Sequence, residues 1–587
     1  MQRNDQMLNK ISKIHSEDEN QLLIIKSENR RMLIEAPAGS GKTKTLISTI
    51  AYNIASGLIP NTKKILALTF SVNAAYKIKK EVIEQLPILF DEDKSFEQLV
   101  SKNIWVSNYH GFCRKILGLY GFKLSSILNS LNEFSVIDDK KIPTEITLTD
   151  EEKNIINNII NSISTANIGQ MNDNISIYNK IIIEKIISNK YITYNSIITL
   201  VIELFNRYPI LLKQYQNLFE IIIVDEYQDT NILGYVLLNR LINDKTRLLF
   251  LGDPLQRIYG FIGAIPNIMN ITKEEFKMKK IVLEHNYRFK DNYELLKLDK
   301  VVRLNSMGVR DIQEISNPKI ICSRDYETEY NWIITKISEN ITLNVNTTIL
   351  VKSLNNNYNT EYLLKKLTDN NVPFFYALFT DESEEYISFH EYAYKEILRV
   401  IKDKKVVNKK ILEKFYNNIF LHFQENNNPI YKSLLILLRK FIDGVYEIYS
   451  KYRMEDLINF IFEVLENKGL KQYMNKIDEK LIVATIHAYK GLEADCVIVV
   501  DLESYNFPGY YTCSKCNQTN NNCTVCGSSQ KQFLEELNVF YVAITRAKKD
   551  LYLTYSQNQL QKYGVKPCKK SCLLNLNGIK NNNLIEI

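Results

Sequence analysis

Short unbroken apolar runs, such as those at 221–224 and 497–500, alternate along the chain with stretches whose apolar residues recur at helical spacing. Runs of about four to six residues suit strands buried on both faces of a parallel sheet, so the alternation predicts α/β architecture. The segment MLIEAPAGSGKTKTLISTIAYNI (32–54) reads strand, glycine loop, helix, and KKILALTFSVNAAYKIKKEVIEQL (63–86) reads strand, turn, helix. Two regions break the rhythm. Residues 115–212 and 403–477 are mainly helical in pattern, and both read as insertions into an α/β scaffold. Asparagine clusters such as NNN at 520–522 predict loops.

Composition narrows the class without naming a function. The 587 residues suggest roughly four domains or subdomains. Hydrophobic residues make up 45% and charged residues 24%, which excludes a disordered chain, a collagen-like fibre and a small disulfide scaffold. The balance of 74 Lys+Arg against 67 Asp+Glu, 74 − 67 = +7, is only a weak lean towards nucleic acid. The first ten residues lack the apolar core of a signal peptide, and no stretch approaches the ~18–20 apolar residues of a spanning helix. The expectation is a soluble, cytoplasmic protein without membrane contact. Its Ile, Asn and Lys enrichment reads as an AT-rich genome, viral and plasmid genomes included.

The chemistry begins at Ala36-Pro37-Ala38-Gly39-Ser40-Gly41-Lys42-Thr43, in the strand–loop–helix context that a phosphate-binding loop requires. Backbone N–H groups would cradle phosphates, Lys42 would reach the β/γ oxygens, and the Thr43 hydroxyl would bind Mg²⁺. The apolar run ending in Asp225-Glu226 supplies the other half. Asp225 can hold Mg²⁺ while Glu226 polarises the attacking water. Together these residues predict an NTPase.

Asp225-Glu226-Tyr227-Gln228-Asp229-Thr230-Asn231 is similar to the DExQDTN box of UvrD/Rep/PcrA-type superfamily 1 DNA helicases, and further boxes follow in that family's order. These are ALTFSVNAA (67–75), SNYHGF (107–112), LGDPLQRIYGFIGA (251–264), LEHNYRF (283–289), VATIHAYKGLEADCVIVV (483–500) and FYVAITRAKKDLYLTY (540–555). Gln21, 21 residues before Lys42, resembles the adenine-reading glutamine, with Tyr287 stacking on the purine and Glu493 contacting the ribose. The resemblance implies that Gln256 links the γ-phosphate to the strand-binding groove and that Arg288 and Arg546 act as arginine fingers, each worth on the order of 10³–10⁵ in rate. It also implies that Phe70, Asn73, Tyr109, His110, Tyr259, Phe261 and His487 line a single-strand groove. Departures from the pattern are Lys44 for Arg, Arg257 for Ser, Phe261 for Trp and Tyr489 for a small residue beside the expected DNA path.

The implied architecture is two RecA-like P-loop NTPase domains with parallel sheets, gripping ATP between them, each carrying a mainly helical insertion. Residues 1–112 and 213–280 would form motor domain 1A and 113–212 insertion 1B. Residues 281–402 and 478–587 would form motor domain 2A, with 403–477 a reduced 2B-like insertion. With about thirty residues after 555, the nuclease domain of helicase–nucleases is not expected.

Four of the nine cysteines are spaced Cys513-x2-Cys516-x6-Cys523-x2-Cys526. Four thiolates in two knuckles suit a tetrahedral structural Zn²⁺ in the 511–529 loop, an iron–sulfur cluster being the other occupant of such a set. Cys568 and Cys572 read as packing residues, and His15, His390 and His422 carry no assigned role. The resulting expectation is an ATP- and Mg²⁺-dependent motor on single-stranded DNA and single/double-strand junctions, 3′-to-5′ by resemblance, with repair or replication proteins as its partner class. A strand translocase that displaces proteins without unwinding, an RNA motor and a non-hydrolysing scaffold remain open alternatives.

Overall fold

The computed structural model describes the chain except for residues 1, 71–73, 76–77, 80, 83–101, 130, 132–133, 310, 353–357, 381–382, 402–405, 449–453, 467, 510–511 and 513–529. The expected Zn²⁺ ligands Cys513, Cys516, Cys523 and Cys526, the DNA residue Asn73 and much of the helix expected after Thr69 lie outside the described residues. The chain divides into two units, Met1–Asn286 and Tyr287–Ile587.

The first unit contains β1 (Arg31–Glu35), β2 (Lys64–Thr69), β3 (Ile104–Asn108), β4 (Ser135–Ile137), β5 (Tyr191–Thr193), β6 (Phe219–Asp225), β7 (Arg247–Gly252) and β8 (Lys279–Val282). Six of them form a sheet in the order β3-β2-β6-β7-β1-β8, every pairing parallel. Strand alternation sorts β6 onto two cores: Ile222 and Val224 face one side, Ile221 and Ile223 the other. The helix Lys42–Ala55 covers the second side with Leu46, Ile50 and Ile54. The helices Tyr109–Tyr120 and Tyr194–Arg207 cover the first. Residues 113–212 are mainly helical, with β4 and β5 paired apart from the main sheet. Their apolar residues, from Ile116 to Leu211, join the core beneath the sheet. The 112/113 boundary therefore falls inside a helix whose Phe112 and Cys113 are both buried in that shared core.

The second unit contains β9 (Lys319–Ser323), β10 (Thr347–Val351), β11 (Phe375–Ala377), β12 (Leu481–Thr485), β13 (Ala494–Val499), β14 (Ala547–Ser556), β15 (Asn558–Gln561), β16 (Gly564–Pro567) and β17 (Leu584–Glu586). Its seven-stranded sheet runs β11-β12-β10-β13-β14-β9-β17, again parallel throughout, while β15 and β16 form a hairpin. Buried apolar strands with helical crossovers in each unit are the α/β arrangement expected from the alternation, and they match the RecA-like domains that the resemblance implied. Between β11 and β12 lie the helices Glu384–Ile401, Lys409–Phe423, Pro429–Ile448 and Met454–Glu466. No helix among the described residues is long and apolar enough to cross a membrane.

Candidate active site

In a parallel sheet, ligands bind beyond the carboxyl ends of the strands. In the first unit β1 runs into the glycine loop, β2 into Phe70, β3 into Tyr109, β6 into Glu226 and β7 into Asp253. The registers Thr69↔Asp225 and Glu35↔Gly252 bring these ends level.

The loop 36–41 is anchored to the sheet by Ala36 N–H donating to the Gly252 carbonyl at 2.8 Å. Gly39 and Gly41 adopt φ of 82° and 78°, a region that costs other residues strain, and this turns successive amides into a concave cradle. Gly41 caps the helix that begins at Lys42, so its positive end faces the cradle. The Ser40 hydroxyl oxygen is buried without a hydrogen-bond partner. An amide nest, a helix N-terminus and an orphaned hydroxyl together fit a polyphosphate.

The Lys42 ammonium lies 3.2 Å from Asp225 Oδ1 and donates to Glu226 Oε1. Burial pulls this ammonium down, but Asp225 and Glu226 overcome burial and hold it above its ordinary value. Burial pushes Asp225 up, with Lys42 opposing. The triad is one cation shared by two carboxylates, and an incoming phosphate with its divalent cation would exchange those partners. Glu226, the cap residue just before the turn Tyr227–Asp229, has φ of 52°, a strained backbone of the kind held at reactive positions.

Glu226 is itself held in place. Gln228, buried, donates to Glu226 Oε2 at 2.6 Å and accepts the backbone N–H of Asp253 at 3.1 Å. Asp253 Oδ2 accepts from Gln256 Nε2 at 3.0 Å. A hydrogen-bonded chain Glu226–Gln228–Asp253–Gln256 thus joins two of the expected catalytic residues through two unassigned ones. Gly252 permits it: a Cβ there would stand 2.5 Å from Gln228 Oε1. The hint was present in the sequence, since Gln228 and Asp253 both lie in quoted boxes. Asn286, in another, donates to the Ala38 carbonyl at 2.9 Å.

Gln21 is buried, and its carboxamide is held at both ends. Nε2 donates to the Ser40 carbonyl at 3.1 Å, and Oε1 lies 2.5 Å from His15 Nδ1. Thr43 is half-buried and Lys44 exposed in the first helical turn.

Three of the expected DNA aromatics come together. Phe70 stacks on Tyr259 at 5.5 Å between ring centroids and 29° between planes, and Phe261 lies 6.2 Å beyond, 64% exposed. Tyr109 does not join them. It is 3% exposed, packed in the core with its hydroxyl 3.3 Å from Thr230 Oγ1, because as the first residue of its helix it turns under the sheet edge. Phe112 is likewise core. His110 packs edge-on against Tyr194, and burial pushes its imidazole down to about 4, so it is neutral at pH 7.

In the second unit Arg288 pairs with Glu493 at 2.7 Å and donates to the Thr545 carbonyl at 2.5 Å, while Lys548 also meets Glu493 at 3.1 Å. Arg546 is 2% exposed. Its guanidinium donates to the carbonyls of Val542 (2.9 Å) and Leu492 (3.2 Å) and to Thr545 Oγ1 (3.0 Å). In this structure it is an internal strut rather than an outstretched finger. Tyr287 and His487 are half-buried, and Tyr489, expected beside the DNA path, is instead buried in the core. Among the described residues no group of three or more His, Cys, Asp or Glu is placed to hold a metal.

Comparison with known proteins matches residues 17–277 to the UvrD/REP helicase N-terminal domain and 378–558 to the UvrD-like helicase C-terminal domain. The chain is similar to the ATP-dependent DNA helicase PcrA of Staphylococcus epidermidis, at 32% identity over 47% of this chain and 38% of that protein. The match therefore spans well under half the length of that relative. It is also similar to PcrA of Leuconostoc citreum, at 24% over 90% of this chain and 80% of that one. The probable DNA helicase II homolog of Mycoplasma pneumoniae matches at 24% over 89% and 81%.

Proposed function

The chain belongs to the UvrD/Rep/PcrA-type superfamily 1 helicases, and from that premise we propose that it is an ATP-driven motor on single-stranded DNA that separates duplex strands, moving 3′-to-5′. The observation that carries this reading is the hydrogen-bonded chain from Glu226 to Gln256, three residues short of Tyr259 in the aromatic row.

Thr43 and Asp225 are the residues that would hold Mg²⁺, which supplies charge neutralisation on the phosphates. Lys42 turns from its carboxylates to a phosphate oxygen. Gln228 keeps hold of Glu226 Oε2 while Oε1 turns to the attacking water and takes its proton. A change at Glu226 reaches Gln256 through Gln228 and Asp253, and so the segment bearing Tyr259 and Phe261. Bases stacking on those rings need no particular sequence, which suits a motor that reads any strand. Arg288 and Arg546 would neutralise transition-state charge after leaving the acceptors that hold them here.

Single-stranded DNA should stimulate ATP hydrolysis, and Lys42→Ala or Glu226→Gln should abolish it. Wild-type turnover in both variants would refute the site. Strand displacement on duplexes with 3′ or 5′ tails tests unwinding and polarity. The shortness of the 403–477 insertion favours a second reading, translocation without unwinding, which predicts streptavidin displacement without strand separation. The four-cysteine spacing supports a structural Zn²⁺, and metal analysis finding less than about half an equivalent of zinc or iron would remove it.

A further inference from the structure

His15 was given no role by the sequence, yet it sits against both the residue aligned with base reading and the helix that follows the nucleotide loop. It is buried, follows the helix Gln2–Ile14, and touches two polar partners from different segments. Nδ1 lies 2.5 Å from Gln21 Oε1, and Nε2 lies 2.8 Å from Ser48 Oγ in the helix that follows the loop.

Chemistry assigns the protons. The Ser40 carbonyl only accepts, so it takes a Gln21 Nε2 hydrogen and leaves Oε1 facing His15; Nδ1 then carries the hydrogen and donates to Gln21, and Nε2 accepts the Ser48 hydroxyl proton. Burial lowers the imidazole below its ordinary value, the Gln21 bond and Asp18 opposing and Lys44 assisting, which agrees with a neutral ring of one tautomer. The Gln21 carboxamide is then fixed in one sense. Turned over, its N–H₂ would face the Nδ1 hydrogen at one end, and its oxygen would face the Ser40 carbonyl at the other.

We propose that His15 is a positioning residue for purine selection: while the Ser40 carbonyl holds Nε2, His15 Nδ1–H holds Oε1, and together they keep the Gln21 carboxamide in the sense that prefers adenine nucleotides over guanine nucleotides. Adenine offers N7 as acceptor and the 6-amino group as donor, the complement of a fixed carboxamide, whereas guanine offers acceptors at both N7 and O6. An amide able to turn over offers N–H₂ to either position, and the discrimination falls. The inference rests on the nucleotide-site reading above.

The test is the ratio of kcat/KM for ATP to that for GTP, under single-stranded DNA stimulation, in wild type, His15→Ala, His15→Asn and His15→Gln. Asparagine can place an N–H₂ where Nδ1 stands, and glutamine places its own nearer Nε2. Losing one orienting hydrogen bond should lower the ratio about three- to tenfold in His15→Ala and His15→Gln, with the change mainly in KM for ATP. His15→Asn should restore the ratio. The inference is overturned if wild type does not distinguish the two nucleotides, if His15→Ala keeps the wild-type ratio, or if His15→Asn is no better than His15→Ala, which would leave His15 a packing residue. Failure of the underlying reading looks different: wild type would then show no ATP hydrolysis that Lys42→Ala removes.

Discussion

Gln228 donates its carboxamide N–H to Glu226 at 2.6 Å, across the turn in which Glu226 holds a left-handed backbone. The pair joins the end of β6 to the end of β7, because the other end of the same carboxamide accepts the Asp253 N–H. A carboxylate aimed at water needs its second oxygen tethered, and a buried amide tethers it without adding charge beside Lys42.

Gln228→Leu keeps the volume of the side chain and removes both bonds. It removes the tether at Glu226 Oε2 and the acceptor that Gln228 offers the buried Asp253 N–H. Turnover of ATP should fall about tenfold or more, corresponding to about 1.4 kcal/mol or above, with little change in KM. Steady-state hydrolysis at saturating single-stranded DNA measures this, and an unchanged kcat would show that the tether is idle.

The aromatics expected to line one groove separate into two roles. Phe261→Ala and Tyr259→Ala should each weaken single-strand binding by about 1–3 kcal/mol, and Phe261→Trp should tighten it. Tyr109→Phe should leave the affinity unchanged, since that ring is core and loses only a 3.3 Å bond to Thr230. Fluorescence anisotropy on an oligothymidylate reads all four. A loss for Tyr109→Phe equal to that of Phe261→Ala would return Tyr109 to the groove.

Why the sequence showed some of this and hid the rest is a matter of range. The strand, glycine loop and helix of 32–54 are local, and their period and turn chemistry are written in adjacent residues. Facing was harder. Tyr109 and Phe261 are both aromatics in helicase boxes, and only the packing of Tyr109 against Thr230 and Gly234 separates core from surface. Contacts across strands were invisible: the Gln228–Asp253 bond spans 25 positions and His15–Ser48 spans 33, with no periodicity to announce either.

Arg546 offers a test of position against resemblance. Arg546→Lys keeps the charge but cannot reach the two carbonyls and the hydroxyl that the guanidinium satisfies together. Each hydrogen bond lost costs about 0.5–1.5 kcal/mol, so Tm should fall by several degrees and kcat should fall with it. Loss of kcat at an unchanged Tm would make Arg546 a reaction residue alone.

Glu329, Asp501 and Glu503 are all buried in the second unit, and the proposed reaction uses none of them. Thr554 donates to Glu329 Oε1, and the Ser556 N–H donates to Glu503 Oε1 at 2.7 Å. Burial, with Asp501 adding repulsion, pushes the Glu329 carboxyl from 4.5 up to about 8, and burial beside Glu329 and Asp501 pushes Glu503 well above its ordinary range. The fold accommodates Glu329 protonated while the unfolded chain ionises it. The stability tied to that proton is therefore fully present below 4.5 and is lost as pH rises through about 8. Glu329→Gln presents a neutral side chain of the same shape at every pH. Its Tm should exceed that of wild type by several degrees at pH 8 to 9, and the gap should close towards pH 5. Thermal unfolding of both proteins across that range decides it: parallel Tm curves would mean that Glu329 ionises alike in the folded and unfolded chains.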